Sequence, residues 1–414
     1  MPVMVWAFSA LLRGICMDEL LKYLVESGKV DLLSIHKQME MSKRQELLNG
    51  HKYKIWQASN GEWKTYLPDE EKGRVLKKRT TKKNLENLII AFYEEKSNNP
   101  TINELFLEWL DRRIEYQEIE DSTYSRYKTD FDRCLKNNLG KMKIKSVQAI
   151  DIENGLKKCI QEKKMSRKSF SNIRTLLYGV FRYAKKKGLI NYNIKDIISE
   201  IEFSKKEFTK ITHEDCEQVF FVDDEEAMIK YMKDNLDVIN LGILLMFKSG
   251  IRVGELAALK SSDLDGNEVH IRRTETRYKD RETGKIIYAV KDHPKTEAGI
   301  RDVIIPNDSL WILKELKKNN PFGEYLFEKN GIRINSYVFR QRIYSNCKKT
   351  GTCRKGPHKV RKTYGSRLYD SDIPKALLMS QMGHTDITCL EKHYYYNRYD
   401  KERITDAINN VFSM

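Results

Sequence analysis

From Thr101 to Lys187 apolar residues recur at helical spacing, and only polar turns interrupt them. A strand needs a period of two, so this stretch has no route to a sheet. Asn98-Asn99-Pro100 breaks the chain, and Thr101 then caps a helix predicted over 102–116, with Leu105, Leu107, Trp109 and Leu110 as anchors. Further helices are predicted near 122–138, 147–162 and 166–187. In the last, Ile173, Leu176, Leu177, Val180, Phe181 and Ala184 form one stripe that must be buried.

Upstream the pattern is different. Residues 17–48 read as helical. Runs at 51–57 and 62–67 are rich in aromatic and β-branched residues, and Asn60-Gly61 between them signals a tight hairpin with both central residues at positive φ. A third short run at 73–78 and a helix at 84–96 complete a small three-stranded sheet plus helix. Seven basic residues and no acid lie between Lys72 and Lys83. A sheet with that surface either enters a DNA groove or docks on its own chain.

The 414 residues carry 75 Lys+Arg against 59 Asp+Glu, a formal charge of +16. Such a balance points to a polyanion, most often nucleic acid. The charge is concentrated: Lys163 to Gly188 holds nine basic residues and no acid, a repulsion that phosphates would offset. A hydrophobic content of 40% excludes wholesale disorder. No apolar run reaches the roughly 18 residues of a membrane span. Seven scattered cysteines without a CxxC pair fit a reducing compartment. Cys347 and Cys353 flank a basic stretch but lack a second ligand pair for zinc. Met1–Cys16 is apolar without the basic start of a signal peptide, and Met17 reads as an alternative start.

The expected fold is multidomain α+β. It comprises an N-terminal helical extension (1–48), the small sheet with its helix (49–97), an all-helical segment (98–205), a charged linker, and a mostly helical segment with a small antiparallel sheet (211–414). The last segment holds the chemistry-bearing residues. Ser249-Gly-Ile-Arg-Val-Gly-Glu places Arg252 after a glycine turn at a helix start, with Glu255 on the same face. This is a phosphate clamp or a surface ion pair. Strands are predicted at 269–273, 286–290 and 302–305, with Lys295 at the hairpin tip between the last two. His358 and Arg361 share the first turns of a helix starting near Pro357, inside Lys329–Tyr369, which has no acidic residue. His384 lies in a turn after Met382-Gly383, and Tyr394, Tyr395 and Tyr396 follow.

Taken in order, G-x-R-x-x-E, a hairpin lysine, H-x-x-R, G-H and a tyrosine resemble the tyrosine recombinase (phage integrase) family. The motifs cover about 240–400, and the three-part plan looks most like integrases of temperate phages and conjugative transposons. The resemblance implies an arm-type DNA-binding domain at 49–97, a core-binding domain at 98–205 and a catalytic domain at 211–414 with a C-terminal tail. It implies a DNA strand transferase that integrates and excises a mobile element through a 3′-phosphotyrosine, without metal, ATP or other cofactor. Tyr394 would be the nucleophile, with Tyr395 and Tyr396 as competitors. Arg252 and Arg361 would clamp the phosphate, Lys295 would protonate the leaving oxygen, and His358 would be the base. His384 would bond the phosphate and Glu255 would brace the site. Cys389-Leu390 stands where members often have Thr-Thr. DNA contacts are expected from Lys77, Lys78, Arg79, Arg167, Lys168, Arg174, Lys359 and Lys362. The implied partners are double-stranded attachment sites and three further copies in a tetramer on DNA, the free chain being a monomer, with an accessory bending or excision factor. The implied location is the cytoplasm, at the bacterial nucleoid, with no membrane. A non-enzymatic DNA-bridging protein is the alternative, and it leaves the ordered Arg/Lys/His/Arg/His/Tyr set unexplained.

Overall fold

The computed structural model describes residues 32–412 apart from 70–71, 211–213, 295–296, 372, 385, 387, 389–390 and 392–395. Met1–Cys16, Met17, Lys295, Cys389, Leu390, Tyr394 and Tyr395 therefore lie outside the described residues. Two compact units result: Met1–Trp109 with Cys134–Cys159 and Arg174–Glu202, and Leu110–Arg133 with Ile160–Ile173 and Phe203–Met414.

The first unit opens with helix α1 (Leu32–Asn49) and an antiparallel sheet of β1 (Trp56–Gln57), β2 (Trp63–Asp69) and β3 (Gly73–Arg79) in that order. The turn differs from the expectation. Gly61 alone has positive φ, at +82°, and the Gly61 N–H reaches the Ala58 carbonyl while Ala58 N–H reaches Glu62. One left-handed residue closes the loop, so Asn60 keeps ordinary backbone geometry. Helix α2 (Lys82–Asn98) starts at Thr81, whose side chain accepts the Asn84 N–H. Its Leu85 and Ile89 pack on Leu67 with Trp63 and Phe92.

Helices α3 (Ile102–Glu115), α4 (Asp121–Cys134), α5 (Ala149–Glu162) and α6 (Arg167–Lys186) follow. All six residues of the α6 stripe are buried. The division into units passes through these four helices, so compactness does not delimit the four segments expected from sequence. A short α7 (Ile194–Glu200) completes the first unit.

In the second unit α8 (Asp215–Gln218) and α9 (Val222–Asp234) precede α10 (Val238–Ser249), whose Leu241 and Ile243–Phe247 are buried. Helix α11 (Val253–Leu256) is one turn long. Strands β4 (Leu264–Asp265), β5 (Glu268–Ile271) and β8 (Arg301–Ile304) form one sheet, and β6 (Thr274–Lys279) pairs with β7 (Ile286–Lys291) in another. This corrects the expected hairpin: β7 and β8 are not partners, so the stretch from 292 to 300 joins two sheets. The reason lies in β6, which the sequence hid because its inward residue is the buried Glu275 rather than an apolar one.

Helix α12 (Leu310–Asn319), the ribbon β9 (Glu328–Lys329) and β10 (Ile332–Arg333), and helices α13 (Ser336–Lys349), α14 (Pro357–Asp370), α15 (Lys375–Met382) and α16 (Lys401–Phe412) complete the unit. Its core gathers α10, α12 and α13 residues over Val269, Ile271 and Val303 of the sheet. Among the described residues no helix is long and apolar enough to cross a membrane.

Candidate active site

Helix α10 ends at Gly250, whose φ of +63° is left-handed. An added Cβ would lie 2.2 Å from Cδ1 of Tyr364, so glycine is required twice over. The chain turns through buried Ile251, and Arg252 caps α11. The Glu255 carboxylate returns to the Arg252 N–H at 2.9 Å and accepts its Nη1 at 2.7 Å.

Glu255 is no surface partner, being only 2% exposed. Arg301 at the start of β8 donates Nη1 and Nη2 to the two carboxylate oxygens at 3.2 and 2.9 Å. Its Nε bonds the Gln381 carbonyl at 2.9 Å, tying the sheet to α15. Burial pushes the Glu255 carboxyl up, but the charge and hydrogen bonds of Arg301, then the charges of Arg252 and Arg361, outweigh it and hold the carboxyl at about 2. One carboxylate thus anchors two guanidiniums.

Arg361 sits one turn into α14 and is 1% exposed. Its Nη1 donates to the Gly250 carbonyl at 2.7 Å, while Nη2 meets the Met382 carbonyl and lies 3.0 Å from His384 Nε2. These acceptors are C-terminal carbonyls of α10 and α15, where helix dipoles favour a cation. His384 is placed by the cap of α15: its N–H bonds the Met379 carbonyl and the Gly383 N–H that of Ser380, a Schellman arrangement.

The two histidines are held neutral. Desolvation first, then the charges of Arg361, Arg252 and Arg301, bring His384 to about 4. His358, in the first turn of α14, is exposed to solvent on the side away from the protein packed against it. The protein packed around it, then the charges of Lys362, Arg361, Lys359 and Arg252, also bring it to about 4. Arg361 bonds the Gly250 carbonyl, two residues before Arg252, so the two guanidiniums lie at one site, and the charges of both act on Glu255, His358 and His384. A neutral imidazole can accept a proton, and clustered guanidiniums suit a phosphate.

Of the residues singled out in the sequence, Arg252, Glu255, His358, Arg361 and His384 are brought together, whereas Lys295 and Tyr394 are outside the described residues. Arg301 was missed. Its signal was a charge in phase with buried Val303 along β8.

Lys77, Lys78 and Arg79 are exposed on β3, and Arg167 and Lys168 on the first turn of α6, while Arg174 is half-buried. Lys359 and Lys362 stand differently from these exposed residues. Both ammoniums turn to Gln218 Oε1, at 2.6 and 2.7 Å, and Lys362 is buried and also bonds the Tyr396 hydroxyl at 2.8 Å. Burial lowers the pKa of both. Among the described residues, one group of potential metal ligands exists: Glu268, His270 and Asp302 on β5 and β8. Arg272 already neutralises Asp302 at 2.8 Å, which makes this an ion-pair cluster.

Residues 211–401 match the phage integrase family. A tyrosine recombinase XerC-like protein of Caldanaerobacter subterraneus is 26% identical over 340 residues, covering 75% of this chain and 83% of that protein. The tyrosine recombinase XerC of Thermodesulfovibrio yellowstonii is 23% identical over 275 residues, covering 64% and 83%. The solved Tn1549 transposon integrase in complex with transposon right end DNA aligns with a TM-score of 0.57 at 21% identity, over 74% of this chain and 98% of that one. A lambda integrase dimer bound to a COC′ core site aligns at 0.51 and 18% identity, over 84% and 95%. Residues 211–401 thus carry the phage integrase domain, and the chain is similar over most of its length to a tyrosine recombinase.

Proposed function

We propose that the chain is a site-specific DNA recombinase that integrates and excises a mobile element, acting in the cytoplasm at the nucleoid. The observation that carries this reading is the convergence of Arg252 and Arg361 around two neutral histidines, with Glu255 bracing Arg252 and Arg301. In the proposed reaction the Tyr394 phenolic oxygen attacks the scissile phosphorus and its proton passes to His358. The bond from phosphorus to the 5′ oxygen breaks, and Lys295 protonates that oxygen. Arg252 and Arg361 stabilise the charge gathering on the non-bridging oxygens, and His384 bonds one of them. The phosphotyrosine keeps the bond energy for rejoining, so the scheme needs no ATP.

The chain is read as an arm-type domain (49–97) with Lys77, Lys78 and Arg79 on DNA, a core-binding domain (98–205) with Arg167, Lys168 and Arg174, and a catalytic domain (211–414). The lambda integrase tetramer bound to a Holliday junction is a further structural match, with a TM-score of 0.50. A tetramer on DNA is proposed here too. Ile404, Ile408 and Val411 of α16 are exposed at 37%, 53% and 70%, an apolar stripe for a neighbouring subunit.

The test is incubation with a nicked duplex carrying the attachment site, in chelator. A covalent protein–DNA band is expected, lost in Tyr394→Phe and kept in Tyr395→Phe. A DNA-bridging protein would give no band.

A further inference from the structure

We propose that Tyr396 is a positioning residue for strand cleavage: clasped to α14, it holds the tyrosine segment against the helix that carries His358 and Arg361, within one subunit. This rests on the reading of Tyr394 as nucleophile.

The clasp has several ties. The Tyr396 hydroxyl accepts Lys362 Nζ at 2.8 Å, and the same ammonium lies 4.4 Å from the centroid of its ring. The Tyr396 N–H donates to Ser366 Oγ at 3.2 Å, one helical turn beyond Lys362. Lys362 is itself fixed by Gln218 Oε1, which also accepts Lys359. Flipping that amide would set its NH2 against two ammoniums, so its orientation is determined. Two residues on, the Arg398 carbonyl accepts the Val222 N–H at 3.1 Å, and Arg398 Nη2 bonds Glu225 at 2.7 Å. Arg367 of α14 holds the other oxygen of Glu225. Lys362, Ser366 and Arg367 thus fasten this strap to the helix on which Lys362 follows His358 by one turn.

Chain geometry gives the clasp its consequence. Two residues span at most roughly 7 Å, so fixing Tyr396 limits how far from it residue 394 can reach.

The test uses the full chain and a suicide duplex in single-turnover cleavage, with Tyr396→Phe, Lys362→Met, Lys362→Gln and Ser366→Ala. Tyr396→Phe and Lys362→Met should form the covalent complex about 10- to 100-fold more slowly, the scale of one lost hydrogen bond to a charged group. The Kd for site DNA and the Tm should stay at wild-type values. Lys362→Gln, whose amide still donates to the phenol, should recover most of the rate, and Ser366→Ala should slow it mildly. A second substrate with sulfur as the 5′ bridging atom needs no proton on its leaving group. It should not rescue Tyr396→Phe, because the defect is placement.

The proposal is overturned if Tyr396→Phe and Lys362→Met both cleave within twofold of wild type, if sulfur restores their rate, or if Tm falls in step with it. A covalent complex that survives in Tyr394→Phe and vanishes in Tyr396→Phe would make Tyr396 the nucleophile and overturn it as well. A wild-type chain that forms no covalent complex sinks the recombinase reading and this one together, so the two failures are distinct.

Discussion

Replacing Glu255 by Gln tests the electrostatic frame of the site. The carboxylate accepts Arg252 at 2.7 Å and Arg301 at 3.2 and 2.9 Å, and is 2% exposed. It titrates at about 2 in the fold, against a reference of 4.5. A depressed carboxyl adds stability that is complete above the unfolded pKa and is lost as pH falls through the folded one. At 1.36 kcal/mol per pH unit, the ionised form contributes ~3 kcal/mol at neutral pH. Glutamine keeps the shape and loses this, leaving Arg301 buried without its counter-charge, a loss on the order of 3–5 kcal/mol. Urea unfolding followed by circular dichroism should show that deficit at pH 7. At pH 3 the unfolded carboxyl is mostly protonated, so the gap between wild type and variant should narrow by about 2 kcal/mol. Equal stability at pH 7, or a gap that does not change with pH, would refute the idea that Glu255 is ionised between the two arginines.

Three further outcomes are expected. Gly250→Ala should destabilise by more than ~1 kcal/mol, because φ is +63° and the new Cβ meets Tyr364 at 2.2 Å; a Tm equal to wild type would contradict this. His358 and His384 titrate at about 4, below their ordinary 6.5, so the neutral rings stabilise the fold fully above pH 6.5 and progressively less down to pH 4. The acid limb of kcat/KM for cleavage should accordingly fall near pH 4, and a limb at 6.5 would show that the rings are not held neutral. Replacing Lys77, Lys78 and Arg79 by Ala should flatten the slope of log K against log salt by about 0.9 for each phosphate no longer neutralised, and an unchanged slope would remove β3 from the DNA interface.

What the sequence revealed follows the distance between partners. Arg252 caps the helix that carries Glu255 three residues on, and His358 and Arg361 stand three apart on one helix, so each pairing can be read directly. Arg301 reaches Glu255 across 46 residues, and no local pattern announces it. Strand β6 was hidden because its buried position is Glu275, satisfied by Arg333 and the Ser336 N–H, which erased the apolar alternation. The partners of Lys362 were equally illegible. A basic run without acids reads as an open surface, yet neutral acceptors from Gln218 and Tyr396, 144 and 34 residues away, draw its ammonium inward. The stripe of α6 was legible in full because burial there is purely apolar and periodic.

The site is short of negative charge. Among the described residues Arg252, Arg301 and Arg361 bring three positive charges, Glu255 brings one negative, and two histidines held at about 4 bring none at pH 7. An excess of two cations in a partly buried volume is unfavourable unless an anion enters. A phosphodiester carries one negative charge, and leaves half the excess standing. As a phenolic oxygen adds, its proton passes to His358 and the phosphoryl oxygens come to bear close to two, so their attraction to Arg252 and Arg361 grows although the net charge of the site is unchanged. The attraction therefore grows along the reaction coordinate, which is the condition for catalysis rather than binding alone. A protein that only bridged DNA would gain nothing from a pocket whose positive charge exceeds that of its bound phosphate.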